Sequence, residues 1–528
     1  MTDRPATRTI TEREVKLSAW PGFEVPDLTG ALAAVTVSEP TVRTLDAVYL
    51  DTPDLRLIRA GITVRHRSGD TADSVSEWTV KFPAGDDPGG AGALVRREVN
   101  IAGAAEPRPA LVDALVGAHV RTARFAPVSH IQTLRRSLTL HPPGVADDAD
   151  DTAPDQPLPP PWGEVDDDIV SVLDGDRVTA RFREVEVEMA PGAPDGLLDA
   201  VVARLHDAGA GATDPVPKLV RALGPSALAP PEVPEPVAPA DDAVAATVVQ
   251  AALAGAVRRV MDHHHVICLD DDVEGVHQAR VGIRRLRSDL RTFVPLLDDA
   301  WVGELRAELK WLADSLGQVR DADVLRARLL GDLEGLEPDD RKHGEGLINR
   351  LDEERAAAQD ALVEVLVGDR YAVLLDDLVA AATRPRFAGR SDRPAADVVP
   401  GLVGAPWKKV RQAVGQLGEE PADEALHRVR VQVKRARYAA DVAVPVAGKP
   451  ARSAAKALSK VQDVLGDLQD AAVARDWLRR AGREAPAVEA LVAGQLVAVE
   501  ARRAAVSRAA FPAAWSAASD RKLWKWLS

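Results

Sequence analysis

The sequence predicts an α+β chain in two parts: a β-rich N-terminal domain, then an all-helical domain. Three observations predict it. Apolar residues alternate with polar ones before residue 225, and they recur at helical spacing after residue 243. Between the two lies a proline-rich stretch, GPSALAPPEVPEPVAPADD, from Gly224 to Asp242. The expected domains are therefore 1–225 and 243–528, joined by a linker at 226–242.

In the first part, Ile62 and Val64, Trp78 and Val80, and Val185 and Val187 carry the period-2 pattern of strands. Helical segments interrupt them at Pro109–Val120 and Gly196–Ala208. The stretch from Ala146 to Pro161, ADDADDTAPDQPLPPP, is too acidic and proline-rich to bury a core and is expected to be a disordered loop. Charged residues occupy the alternate strand positions. They are Glu12, Glu14 and Lys16; Arg65 and Arg67; Lys81 beside Thr79; Arg96 and Glu98; and Glu184, Glu186 and Glu188. Singly, each set describes the solvated face of an amphipathic strand. Together they describe strands whose apolar faces pack outward against helices, around a barrel interior lined by both signs of charge. The acidic strands offer hard oxygen donors suited to Mg²⁺ or Mn²⁺, and the basic strands offer groups that hold phosphate oxygens. No glycine-rich phosphate loop accompanies them, which points to metal-assisted phosphoryl chemistry outside the P-loop class.

The helical part is internally repeated. VHQARVGIRRLRSDL from Val276 matches LHRVRVQVKRARYAA from Leu426. His277/His427, Arg280/Arg430, Arg284/Lys434, Arg287/Arg437, Arg306/Lys456 and Lys310/Lys460 all lie 150 residues apart. His277, Arg280, Arg284, Arg287 and Arg291 form one stripe along a helix, rotated by about 100° from the apolar stripe of Val276, Ala279, Ile283, Leu286 and Leu290. Each repeat is thus expected to bury one face and present a row of cations beside it. The plain alternative is a solvated basic face balanced by carboxylates. The rows themselves hold almost no Asp or Glu, so a polyanion is the expected counter-charge. Few aromatics lie near the rows, Phe293 and Tyr438 excepted, which disfavours base stacking and favours phosphate chains.

Composition narrows the remaining classes. A net charge of −15 argues against a general nucleic-acid binder, so any anion site must be a local cluster. The single cysteine, Cys268, cannot form an internal disulfide and is expected to be a small buried residue. His263, His264 and His265 point in different directions on a helix and are expected to form a solvated helix end, not a metal site. No signal peptide is evident and no run of about 18 apolar residues occurs, so a cytoplasmic location without membrane contact is expected.

The repeated H-x-x-R-V-x-[IV]-[RK]-R-x-R resembles the CHAD domain, the conserved-histidine α-helical domain, over nearly all of 243–528. That resemblance implies two pseudo-symmetric helical bundles around a basic groove that binds inorganic polyphosphate. By position it implies binding by His277, Arg280, Arg284, Arg287, His427, Arg430, Lys434 and Arg437, joined by Lys456 and Lys460 and by their repeat partners Arg306 and Lys310.

ExExK near the N-terminus, YLDTPDLRLIRAGITVRHR, WTVKF and ExExE occur in that order. The ordered set resembles the CYTH superfamily of triphosphate tunnel metalloenzymes over residues 8–223. It implies an eight-stranded antiparallel tunnel, dependence on Mg²⁺ or Mn²⁺, and triphosphate substrates. Known activities of that superfamily are inorganic, thiamine and RNA triphosphatase and one class of adenylyl cyclase. By position the resemblance implies metal binding by Glu12, Glu14, Glu184 and Glu186, with Glu188 one pleat further and Asp167 chosen from VDDDI. It implies phosphate contacts from Lys16, Arg65, Arg67, Lys81 and Lys218, and from Arg135 or Arg136, whose register LRRSL leaves open. The expected function is hydrolysis of inorganic triphosphate or a related compound, beside a polyphosphate-binding domain. A non-catalytic polyphosphate binder and an adenylyl cyclase stand as alternatives, with granule association a further expectation and oligomeric state left open.

Overall fold

A computed structural model describes residues 7–32, 35–69, 76–84, 93–143 and 159–527. The expected loop at Ala146–Pro161 lies almost wholly outside them. The chain forms two compact units, Met1–Glu232 and Val233–Ser528. Among the described residues no helix is long and apolar enough to cross a membrane.

The first unit contains β1 (Thr7–Ser18), β2 (Thr36–Val37), β3 (Thr41–Asp51), α1 (Arg56–Arg59), β4 (Thr63–Gly69), β5 (Glu77–Pro83) and β6 (Leu94–Ala102). It continues with α2 (Ala110–Val120), β7 (Ala126–His141), β8 (Gly163–Asp174), β9 (Arg177–Met189), α3 (Leu197–Asp207) and α4 (Lys218–Leu223). Eight strands close in the order β7-β3-β4-β5-β6-β1-β9-β8, with β8 pairing back to β7, and the two-residue β2 adds beside β7. Every pairing is antiparallel. The expected closed barrel is therefore present, with its edges removed by closure.

Its layering inverts the usual one. Val15 and Leu17 of β1 and Val185 and Val187 of β9 are buried outside the barrel with Leu197, Val201 and Leu205 of α3 and Phe23. The intervening Glu12, Glu14, Lys16, Glu184 and Glu186 are buried as well, so they fill the interior. Pro109 and Gly196 are the N-caps of α2 and α3, so both expected helices stand in place. At one end the interior becomes apolar: Ala47, Tyr49, Ile131 and Val170 pack against Leu219, Val220 and Ala227. Through them α4 and the turn after it close that end. Asp51, in the YLDTPDLRL motif, is structural. Its carboxylate accepts from the backbone N–H groups of Thr52 (2.6 Å), Leu57 and Ile58 (both 3.0 Å), anchoring α1.

The second unit begins with α5 (Ala245–Asp262), α6 (His264–Leu269), α7 (Val273–Thr292), α8 (Asp299–Leu333), α9 (Pro338–Leu366) and α10 (Asp369–Thr383). It ends with α11 (Ala395–Gly415), α12 (Asp423–Glu484), α13 (Ala487–Ala518) and a 3₁₀ turn at Arg521–Leu527. The repeat is visible in the helix starts: Ala245 and Ala395, Val273 and Asp423, and Pro338 and Ala487 lie 150, 150 and 149 residues apart. Gly448, with φ of 60°, kinks α12 where the first repeat passes from α7 to α8, so α12 is two helices in sequence. On α7 the stripe of Val276, Ala279, Ile283, Leu286 and Leu290 is buried, and the Asp272 carboxylate caps the helix by accepting from Glu274 N.

Candidate functional site

Alternation along the strands brings most of the charged set into one cavity of about 170 Å³. Lys16, Arg65, Arg67, Lys81, Arg135 and Lys218 line it beside Glu12, Glu14, Glu186 and Glu188. Glu184, fully buried, lies behind them and holds Lys218 Nζ at 3.0 Å. The registers explain the mixture. Glu14, Lys16 and Ser18 of β1 face Glu188, Glu186 and Glu184 of β9, while Glu12 faces Arg96 of β6.

Two expected residues fall outside. Asp167 points to the outer face, where Arg183 holds both its oxygens at 2.8 and 2.7 Å. The inward residues are its neighbours, Asp166 and Asp168, because one residue of register reverses the face. The same rule decides between Arg135 and Arg136. Arg135 reaches Asp168 at 2.8 and 2.6 Å, Glu186 at 2.8 Å, and Asp166. Arg136 takes the opposite face of β7. Sequence reasoning also missed Arg43, Tyr49 and Glu164 on the cavity wall and left Arg96 and Glu98 without a role. Arg43 and Tyr49 share one parity along β3, the signal that would have found them.

The interior is a network of opposed charges. Lys16 Nζ lies 2.9 Å from Glu14 and also bonds Glu186. Lys81 Nζ is 2.6 Å from both oxygens of Glu12 and 2.8 Å from Glu98. Lys218 Nζ touches Asp168 and Glu186 at 2.8 Å each. Burial raises the Glu14 carboxyl, but Lys16, Lys81 and Arg96 hold it well below the usual carboxylate range. Glu98 is held at about 2, Lys81 and Arg65 outweighing its burial. Burial is also the largest influence on Tyr49, yet Arg65 beside it brings the phenol below its ordinary value.

Glu188 behaves oppositely. Burial, then Glu12, Glu98 and Glu14, push it up to about 7. Glu12, Glu98 and Glu14 thus surround Glu188 with like charge, and Glu14 Oε1 is buried without a hydrogen bond, its ion-pair partner Arg96 lying 3.5 Å away. A set of carboxylate oxygens with a buried, unbonded Glu14 Oε1 fits a hard divalent cation. Among the described residues no three His, Cys, Asp or Glu groups stand in a metal-holding arrangement, and the ammonium groups of Lys16 and Lys81 hold Glu12, Glu14 and Glu186.

In the helical unit the two cationic rows converge. Lys434 is lowered to about 8 by burial, then by Arg430 of its own repeat and by Arg284 and Arg280 of the other. Arg284 and Arg437 approach the Tyr438 ring at 5.9 and 4.5 Å. Arg280 donates to the Gly317 carbonyl at 3.0 Å, and its repeat partner Arg430 lies against Gly466. His277 is lowered by burial and by Arg320, whereas His427 Nδ1 sits 2.7 Å from Gln469. Phe293 and Tyr438 are both buried and offer no stacking platform.

Some cations are paired, contrary to expectation. Arg280 lies 3.0 Å from Asp321 on the next helix, and Lys310 forms an exposed i,i+4 pair with Asp314 at 2.8 Å. Lys456 and Lys460 line a different groove, against Ala510, Ala514 and Ala517 of α13. The histidine triplet is not a solvated end. His264 is fully buried, stacked on Tyr371 with ring centroids 5.6 Å apart and 3.6 Å from Cys268 Sγ. Cys268 is buried, and burial pushes its thiol up to about 12.

Comparison with known proteins agrees with both units. The CYTH domain model matches residues 11–210 and the CHAD domain model matches residues 251–479. Two uncharacterised proteins of Mycobacterium tuberculosis are 33% and 32% identical over 501 residues, covering 90% of this chain and 89% of theirs. Among solved structures, PptA from Streptomyces chartreusis is 22% identical, with a TM-score of 0.44, over 52% of this chain and 100% of its own. The CHAD domain from the plant Ricinus communis is 26% identical, with a TM-score of 0.44, over 53% of this chain and 94% of its own. With a family model on each unit and relatives spanning nearly its full length, the chain belongs to the CYTH–CHAD proteins, in which a domain of the triphosphate tunnel family precedes a conserved-histidine helical domain.

Proposed function

We propose that the barrel is a divalent-metal-dependent triphosphatase acting on inorganic triphosphate or a close relative, and that the helical unit binds inorganic polyphosphate. The observation that carries the first reading is the interleaving of inward carboxylates with inward cations. Binding phosphate alone needs the cations; the buried Glu12, Glu14 and Glu186 and the half-buried Glu188 would only compete with phosphate for them. As α4 closes one end, the substrate would enter at the other.

Glu12, Glu14, Glu186 and Glu188 would hold Mg²⁺ or Mn²⁺, which neutralises phosphate charge and polarises its oxygens when bound. Arg65, Arg67, Lys81, Arg135 and Lys218 would clamp the phosphate oxygens and orient the terminal group. Water attack on the terminal phosphorus forms one P–O bond and breaks the bridging P–O bond, giving orthophosphate and diphosphate.

The test is phosphate release from inorganic triphosphate, ATP, thiamine triphosphate and long-chain polyphosphate with Mg²⁺ or Mn²⁺. Glu12→Gln and Glu186→Gln are expected to lower turnover by roughly a hundredfold or more. Absence of turnover with every substrate, while long-chain polyphosphate still binds, would leave a binding protein and refute the enzyme. Cyclic AMP formed from ATP would instead select the cyclase.

A further inference from the structure

The two helical repeats differ in the charges around one equivalent arginine pair. Arg285 and Arg435, Arg291 and Asp441, and Asp289 and Ala439 are pairs of equivalent positions, each 150 residues apart. Arg285 is neutralised from two sides. Its Nε donates to Asp289 at 2.8 Å, and its Nη1 lies 3.6 Å from Asp441 across the α7–α12 packing. At the equivalent place Ala439 replaces the first carboxylate and Arg291 replaces the second. Arg435 therefore meets cations where Arg285 meets anions.

The surroundings agree. Arg291 is lowered to about 10 by burial and then by Arg435, Arg306 and Arg287, with no carboxylate acting on it. Burial and Arg306 lower Arg435 as well. The Nε atoms of Arg306 and Arg435 are buried without hydrogen-bond partners, as are those of Arg284, Arg430 and Arg437, and Arg435 Nη1 donates to Gln432 Oε1 at 3.4 Å. Among the described residues none of these four arginines has an ion-pair partner, although Arg285, one residue from the row, has two. Unpaired buried donors and repelling charges both disfavour the empty cluster, and an oxyanion relieves both at once.

We infer that Arg287, Arg291, Arg306 and Arg435 form an anion subsite for phosphoryl groups on one side only of the repeat, so that the helical unit holds a phosphate chain asymmetrically. Arg291 and Arg435 are the residues that make it one-sided. The inference rests on the reading of the helical unit as polyphosphate-binding and extends it.

The test is isothermal titration of the full chain with long-chain polyphosphate at two salt concentrations. Arg291→Gln with Arg435→Gln is expected to weaken binding roughly tenfold or more and to flatten the salt dependence by about two charges. Arg285→Gln, its equivalent on the other side, is expected to change affinity by less than about twofold. Asp289→Ala with Asp441→Arg builds a second copy of the cluster and is expected to tighten binding roughly fivefold, a gain that misfolding cannot mimic. Equal losses from Arg285→Gln and Arg435→Gln, or no change in any variant, overturn the one-sided subsite while leaving polyphosphate binding intact. Failure of the unaltered chain to bind polyphosphate overturns both.

Discussion

Replacing Lys218 by Met removes one ammonium group from the buried side chains of Asp168, Glu184 and Glu186, all within 3.0 Å of it. Methionine keeps the length and packing, so the change isolates the charge. Breaking a buried ion pair by deleting one partner costs about 3–5 kcal/mol, because the remaining charge stays desolvated. Arg135 still serves Asp168 and Glu186, which places the expectation near the lower end of that range. The readout is hydrogen exchange of the slowest β8 and β9 amides, normalised to the intrinsic rate. A loss of 3 kcal/mol accelerates it roughly a hundredfold. The pH dependence has a definite sign. In the unaltered protein Asp168 is held well below its ordinary range: burial opposes this, and Lys218 and Arg135 outweigh it. That contribution is present above the unfolded value of about 3.9 and is lost as pH falls below it. In the variant the uncompensated carboxylates take up protons on acidification, so its penalty lifts over the same direction. The difference is therefore expected to be full at pH 7 and to narrow towards pH 4. Unchanged exchange at pH 7, or a loss that persists undiminished at pH 4, would refute the argument.

Three further outcomes are expected. Gly317→Ala places a methyl group 3.1 Å from Arg280 Nη1; the helix should gain up to about 1 kcal/mol in propensity, while displacement of the guanidinium lowers polyphosphate affinity a few-fold. Calorimetric melting together with titration checks both signs. Asp332, buried on α8 with Arg503 at 2.5 Å, is raised to about 6 by burial and then by Glu500. Its stabilising protonation is full only below the unfolded value of about 3.9 and is lost as pH rises through about 6, so Asp332→Asn should be more stable than the unaltered chain at pH 8, by about 1 kcal/mol, and should match it only below about pH 3.9. Cys268 should resist a thiol reagent at pH 8 in the folded chain and react once the chain is denatured, as colorimetric thiol titration would show.

How far the sequence was legible depended on whether one face of each element was apolar. On β1 and β9 it was. Val15, Leu17, Val185 and Val187 pack outward, and the acidic residues between them were assigned to the interior from alternation alone. On β8 it was not. Val165 faces the outer core while Val170 faces the apolar plug inside, so VDDDI carries no parity signal and Asp167 was chosen over its inward neighbours. Arg135 and Arg136 were ambiguous for a related reason: Ile131 packs inward, whereas Leu138 and Leu140 pack outward. The repeat was legible because helices conserve spacing, and a nearly constant offset survives folding. The pairing of Arg280 with Asp321 was not, because that carboxylate comes from another helix. The same holds for His264, whose partner Tyr371 is brought to it by α10.

Lys16 and Lys81 give the tunnel a thermodynamic property that neither kind of residue has separately. Each ammonium group holds a carboxylate that a divalent cation would also claim, and each would be claimed in turn by a phosphate oxygen. An arriving phosphate that draws an ammonium away leaves carboxylates free for the cation; a cation that takes the carboxylates leaves ammonium groups free for phosphate. On the proposed function, anion and cation would thus be heterotropic effectors of one another. Reciprocity requires that the factor by which one tightens the other be the same in both directions. The self-neutralised interior is in this sense a latch with two keys, each turning more easily when the other is already in place.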